Sequence, residues 1–278
     1  GTSAMLDYTT AHDNVAIGYQ AFNNSTTGDN NIAIGRQALN AATTQTDNTV
    51  IGHLAGYEMT ESDNVIIGSL AGYSSESSGS TMVGFQAGYY PHGNQNTFVG
   101  HKAGKGDSST TTAHNNVAVG REALTAVSSG EKNTVIGSRA GANITSQTAS
   151  VIAGFEAGLN QAAGSGRSVA IGHQALYSGT QNYQNTAVGI NAGKKATGAS
   201  SNNVYLGSAA GPSSTGAESN QLYIHNAEGT PLIGGDFSAG TVTINGVLSA
   251  TAKSFNIEHP LYKDKRLVHG SLEGPEHG

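Results

Sequence analysis

The sequence predicts an all-β repeat solenoid, and three observations carry that expectation. One glycine recurs in register twelve times, as Gly18, Gly35, Gly52, Gly68, Gly84, Gly100, Gly120, Gly137, Gly154, Gly172, Gly189 and Gly207, at steps of 16 to 20 residues. Self-similarity at such a period marks a solenoid or array. The three residues before each glycine are β-branched or otherwise apolar, so they read as a short strand that the glycine ends. The units lack a 3.6-residue periodicity and are about half as long as the 33 or more residues of helical repeats.

Counted from the glycine as position zero, each column of the repeat has a physical reading. Position minus four holds Asn in nine copies and Ser in three (Ser80, Ser150, Ser168). These side chains bond local backbone and tolerate turns, and stacked at one corner of a coil they form a hydrogen-bonded ladder. Position plus three is Ala in all twelve copies. Asn14, Gly18 and Ala21 open the series; Asn31, Gly35, Ala38, Asn48, Gly52, Ala55, Asn64, Gly68 and Ala71 continue it. An invariantly small residue implies a crowded place, so Ala at plus three and the aliphatic residue at minus one are expected inside. The variable plus-one column is expected in solvent, and the minus-two column, which runs from Ala16 to Phe98 and Tyr205, at a second interface. A 17-residue coil at ~3.3 Å per residue traces a perimeter of roughly 55 Å, which suits one flattened turn with two short strands. Polar connectors such as residues 24–29 are turns, and the longest, residues 105–115, is the expected protruding loop.

Composition agrees with a thin core repeated many times. The chain is 36% hydrophobic and 12% charged, against about 45–50% and 25% for ordinary domains. Net charge is −6 with both signs scattered, which argues against nucleic-acid binding because that needs clustered cations. No apolar run approaches the ~20 residues of a membrane span, so no membrane insertion is expected. The absence of cysteine excludes disulfides and thiolate metal sites. The expected divisions are 1–13, a lead-in whose first five residues look like an expression scar; 14–211, the repeats; 212–250, a short β module; and 251–278, a tail.

The motif N-(T/V)-A-(I/V)-G-x-x-A resembles the head repeat of trimeric autotransporter adhesins. The match covers residues 14–211, 198 of 278. The resemblance implies a left-handed parallel β-roll, three chains of which pack about a three-fold axis; the coils here are longer than in those heads. Residues 220–249, with Leu222/Ile224 and Val242/Ile244 alternating with polar residues and a hairpin-type Asn245-Gly246, resemble a β module of bacteriophage tail fibres. The tail, with Lys253-Ser254-Phe255-Asn256 and Leu267-Val268-His269-Gly270-Ser271, is similar to the entry into an endosialidase-type intramolecular chaperone, a class that implies early truncation or self-cleavage. Together these imply a virion tail fibre, extracellular and homotrimeric, that meets other tail proteins and a host-surface glycan or protein receptor. The alternatives are a bacterial trimeric adhesin head and, from another class, a left-handed β-helix acyltransferase-like enzyme. An adhesin would continue into a heptad stalk, and such an enzyme carries hexapeptide periodicity.

No catalytic, cofactor-binding or metal site is expected. His259, His269, Ser271, Glu273, Glu276 and His277 are close in sequence, which does not supply a site's geometry, and Lys253-Ser254 pair by adjacency alone. His53, His101 and His173 share the plus-one column but not neighbouring coils. Tyr19, Tyr57, Tyr73, Phe85, Tyr89, Tyr90 and Phe155 are the candidate receptor contacts, because aromatic rings stack on sugar faces.

Overall fold

The structure, a computed structural model, describes residues 1–7, 9–91, 93–106, 112–161, 166–179 and 183–249, and the strands 254–258 and 266–270. It divides into two units, Gly1–Thr243 and Ile244–Gly278. The described residues contain no helix.

The first unit is a β-solenoid of about twelve turns. Each turn contributes one three-residue strand at positions minus three to minus one: β1 (Val15–Ile17), β2 (Ile32–Ile34), β3 (Thr49–Ile51), β4 (Val65–Ile67), β5 (Thr81–Val83), β6 (Thr97–Val99), β7 (Val117–Val119), β8 (Thr134–Ile136), β9 (Val151–Ala153), β10 (Val169–Ile171), β11 (Thr186–Val188) and β12 (Val204–Leu206). They lie in sequence order and pair in parallel, residue on residue, as in Val15 with Ile32 and Ile17 with Ile34.

The repeat glycine fixes this register. Gly18 has φ of 135°, outside the range of L side chains. A Cβ there would also meet the Gly35 carbonyl oxygen at 2.4 Å. A tight turn follows, closed by the Ala21 N–H donating to Gly18 O at 3.4 Å. Its third residue, Gln20, is left-handed at φ 51°.

The coil has one strand wall where two were expected. Across from it, positions plus two and plus four are left-handed in successive coils, as in Gln37 (φ 55°) and Leu39 (φ 52°). These angles are incompatible with a pleated strand. The coils still bond there, with Leu39 N–H donating to Ala55 O at 3.0 Å and Ala41 N–H to Tyr57 O at 3.0 Å.

The interior also differs from the expectation. Minus-two residues point inward and minus-one residues outward: Ala33, Val50, Ile66, Met82, Phe98, Val135, Ile152 and Tyr205 are buried, while Ile17 is 56% and Ile136 47% exposed. The reason is the period of two in a strand: in a three-residue strand, minus three and minus one share the face opposite to minus two. Ala at plus three is buried in all twelve coils, from Ala21 to Ala210.

Residues 1–5 stack on the first coil. Gly1 stacks under Gly18, Ala4 N–H donates to Gly1 O at 3.3 Å, and Met5 N–H donates to Ala21 O at 3.1 Å.

After β12 comes β13 (Gln221–Ile224), parallel to it with Leu222 beside Val204 and Ile224 beside Leu206. Leu222 and Ile224 therefore extend the solenoid ladder. β14 (Ile233–Asp236) runs antiparallel to β13, and β15 (Thr241–Ile244) neighbours β14. The turn between β14 and β15 lies at residues 237–240, ahead of Asn245-Gly246. Asp236 Oδ1 holds it, accepting from the Ser238 N–H at 2.8 Å and the Ala239 N–H at 3.2 Å. These bonds, the Ser238 hydroxyl first, keep the Asp236 carboxyl below its usual range. In the second unit, β16 (Ser254–Glu258) pairs antiparallel with β17 (Arg266–Gly270).

Candidate functional site

The Asn column forms a buried ladder. Asn31 N–H donates to Asn14 Oδ1 at 2.8 Å, Asn48 N–H to Asn31 Oδ1 at 3.0 Å and Asn64 N–H to Asn48 Oδ1 at 2.9 Å. The side-chain amides donate to connector carbonyls, as Asn133 Nδ2 does to Gln147 O at 2.7 Å. Where Ser stands in, the shorter side chain reaches less well: Ser168 N–H meets Ser150 Oγ at 3.3 Å. This ladder is structural, for its polar atoms are spent on neighbouring coils.

Two surfaces remain open for contact. The first is the outer face of the strands. Its two columns, minus three and minus one, hold only Val, Ile, Leu, Thr and one Ala across all twelve coils, with no charged residue. Val15, Ile67, Val151 and Ile171 are among those exposed there. At ~4.8 Å per coil the strip runs for roughly 55 Å.

The second surface is polar and aromatic, and it separates the candidate contact residues into two groups. Tyr57, Tyr73 and Tyr89 occupy plus five in three successive coils and stack with centroids 5.3 and 5.0 Å apart; Tyr90 meets Tyr89 edge-on at 4.4 Å. Because these rings lie on one another, their faces are largely consumed, and the row offers ring edges and hydroxyls. Burial, then the Glu58 carboxylate, raises the Tyr73 pKa; burial, then Tyr90, raises that of Tyr89.

Tyr19, Phe85 and Phe155 sit instead in the plus-one column, and all three are exposed. Each is covered on one side by the residue one coil on. The Arg36 guanidinium lies 5.9 Å from the Tyr19 centroid, His101 stacks on Phe85 at 5.3 Å and His173 on Phe155 at 5.3 Å. This grouping is readable by counting from the glycine, plus one against plus five, although residue type alone had pooled the seven.

Among the described residues, no group of three or more His, Asp or Glu side chains is placed to hold a metal ion. His53, His101 and His173 stand in separate coils. Lys253, His259, Ser271, Glu273, Glu276 and His277 lie outside the described residues, while Ser254 and His269 fall in β16 and β17. Residues 107–111 of the long connector also lie outside them.

No protein-family model matches this chain, nor does any curated protein or solved structure.

Proposed function

We propose that this chain is the shaft and receptor-binding part of a bacteriophage tail fibre: a homotrimer of left-handed β-rolls, with residues 212–250 as a short β module, that attaches a virion to the host surface without catalysis. The observation that carries the reading is the outer strand face. All-parallel sheets are covered on both faces almost without exception. Here the coil interior covers one face, and the other presents twenty-four strand positions free of charge. An uncharged strip of that length marks an interaction surface. Its occupant must match it over twelve rungs at the same ~4.8 Å spacing, and further copies of this chain do so. Rod-like reach, closed apolar seams and aromatic groups left outside suit an attachment fibre.

The test is adsorption of the labelled protein to a panel of bacterial cells before and after periodate oxidation of their surface glycans. The reading predicts saturable binding to a subset of strains, competed by unlabelled protein. Loss after oxidation assigns a glycan receptor, and loss after protease treatment instead assigns a protein receptor. Absence of saturable binding across the panel contradicts the attachment role.

A further inference from the structure

The plus-one column has a period of four coils. Thr2, Ser69 and Ser138 are each followed, one coil on, by an aromatic residue: Tyr19, Phe85 and Phe155. The pairing is fixed by backbone bonds, since Gln20 N–H donates to Thr2 O at 3.2 Å, Gln86 N–H to Ser69 O at 3.1 Å and Glu156 N–H to Ser138 O at 3.1 Å. The far face of each aromatic ring is taken by Arg36, His101 or His173. The near face looks onto a hydroxyl side chain too short to cover it, and Phe85 and Phe155 stay 42% and 44% exposed.

In two of the three steps the same column offers a second side chain, His53 or Arg121, the latter also paired through Nη1 with Glu122 Oε1 at 3.0 Å. His53 stands one coil before Ser69, and Arg121 one coil before Ser138, joined by Leu70 N–H to His53 O at 2.9 Å and Arg139 N–H to Arg121 O at 2.8 Å. Two coil rises, ~9.6 Å, therefore separate His53 from Phe85 and Arg121 from Phe155. A flat ring seated over the serine would lie ~4.8 Å from each side chain, within the range at which rings stack.

We infer that these steps are two sugar-binding slots, each taking one hexopyranose ring of a surface glycan. The C–H face of the sugar lies on Phe85 or Phe155, and its hydroxyls meet the serine Oγ and the N–H donors of His53 or Arg121. This rests on the attachment reading above and deepens it by naming the ligand class and the residues. The slots are four coils apart, ~19 Å along the axis, so a glycan chain that reaches both gains affinity by avidity without any new contact. The tyrosine row at plus five has no equivalent gap between its rings, because Tyr73 stacks directly on Tyr57 and Tyr89 on Tyr73.

The test is binding to a printed array of bacterial surface polysaccharides by wild type, Ser69→Phe, Ser138→Phe and the double variant, with solution mass and far-UV circular dichroism as controls. Filling each gap with a ring extends an exposed stack and leaves the fold intact. The expected result is a partial loss in each single variant and at least a tenfold loss in the double variant, with mass and spectrum unchanged. Phe85→Ser with Phe155→Ser, which removes the platforms, gives the same loss. Unchanged array binding in the double variant, or a wild type that binds no glycan on the array, overturns the slots. Periodate-sensitive adsorption to cells that survives slot filling overturns them while leaving the attachment role standing.

Discussion

Gly104 leaves the space that the Phe98 ring fills: a Cβ on Gly104 would lie 2.4 Å from Phe98 Cδ1 and Cγ. The two positions, plus four and minus two of one coil, trade volume along the solenoid. Ala16, Ala33, Ala118 and Ala170 face Phe22, Leu39, Leu124 and Leu176, whereas Val50, Ile66, Met82, Phe98, Val135, Ile152 and Tyr205 face glycine. Coil eleven has Ala187 and Gly193, both small. There Leu176 and Tyr205 close in from the neighbouring coils, each 2.7 Å from a Cβ built on Gly193. These two positions together admit about one large side chain per coil.

That exchange is testable as a double-mutant cycle. Phe98→Ala leaves a cavity and is expected to cost about 3–5 kcal/mol. Gly104→Leu alone overpacks and is expected to be worse, since the ring has nowhere to go. The pair Phe98→Ala with Gly104→Leu reproduces the Ala118/Leu124 arrangement, and its cost in denaturant unfolding is expected to fall well below the sum of the single changes. An additive result would refute the volume exchange.

The Asn ladder predicts a graded series at Asn116. Its Oδ1 accepts from the Asn133 N–H at 3.0 Å and its Nδ2 donates to Gly130 O at 2.8 Å. Asn116→Ala leaves both buried partners unmet, at about 1–3 kcal/mol each. Asn116→Ser is expected to lose less, because Ser80, Ser150 and Ser168 already serve in that column with bonds of 3.1 to 3.3 Å. Thermal unfolding of the two variants checks the order.

Much of this was legible in the sequence, and the failure is instructive. The repeat glycine announces the solenoid because only glycine adopts φ near 135° with a carbonyl stacked against it. The small plus-three alanines announced the interior for the same steric reason. The orientation of the strand is not legible from hydrophobicity, because a three-residue strand is apolar on both faces. Ile17 and Ile136 are more apolar than Ala16 and Ala118, yet alternation puts the alanines inside and leaves the isoleucines facing out. The aromatic columns are legible by position in the repeat and not by residue type: Phe85 at plus one and Tyr89 at plus five are four residues apart but belong to separate stacks.

Gln161 marks a local weakness. It is fully buried at plus seven, with both amide atoms unpaired among the described residues, in the column that holds Met59 and Ile144. Gln161→Met removes that desolvation cost and is expected to stabilise by about 1–2 kcal/mol. A lower midpoint in thermal unfolding would count against it.

The C-terminal coils predict an alkaline transition. Tyr205 and Tyr223 donate to the two oxygens of Glu218 at 2.8 and 2.9 Å. Burial, reinforced by that carboxylate, pushes Tyr223 up to about 12 and raises Tyr205 as well, from the usual 10.0. A phenol whose folded pKa is raised adds stability that is whole below the unfolded value and fades as pH climbs from there through the folded one. Stability is therefore expected to hold to about pH 10 and to fall between there and 12. In a spectrophotometric titration two of the eleven tyrosines should ionise last, and Glu218→Gln should bring both down.

The mass in solution, by light scattering on a sizing column, tests the central claim that copies of this chain cover the outer strand face. The account predicts three times 28.1 kDa for wild type, and a shift towards monomer when Ile67 and Ile136, on that face, are both changed to Lys. A folded wild-type monomer of 28.1 kDa, soluble with its aliphatic strip in water, would contradict it.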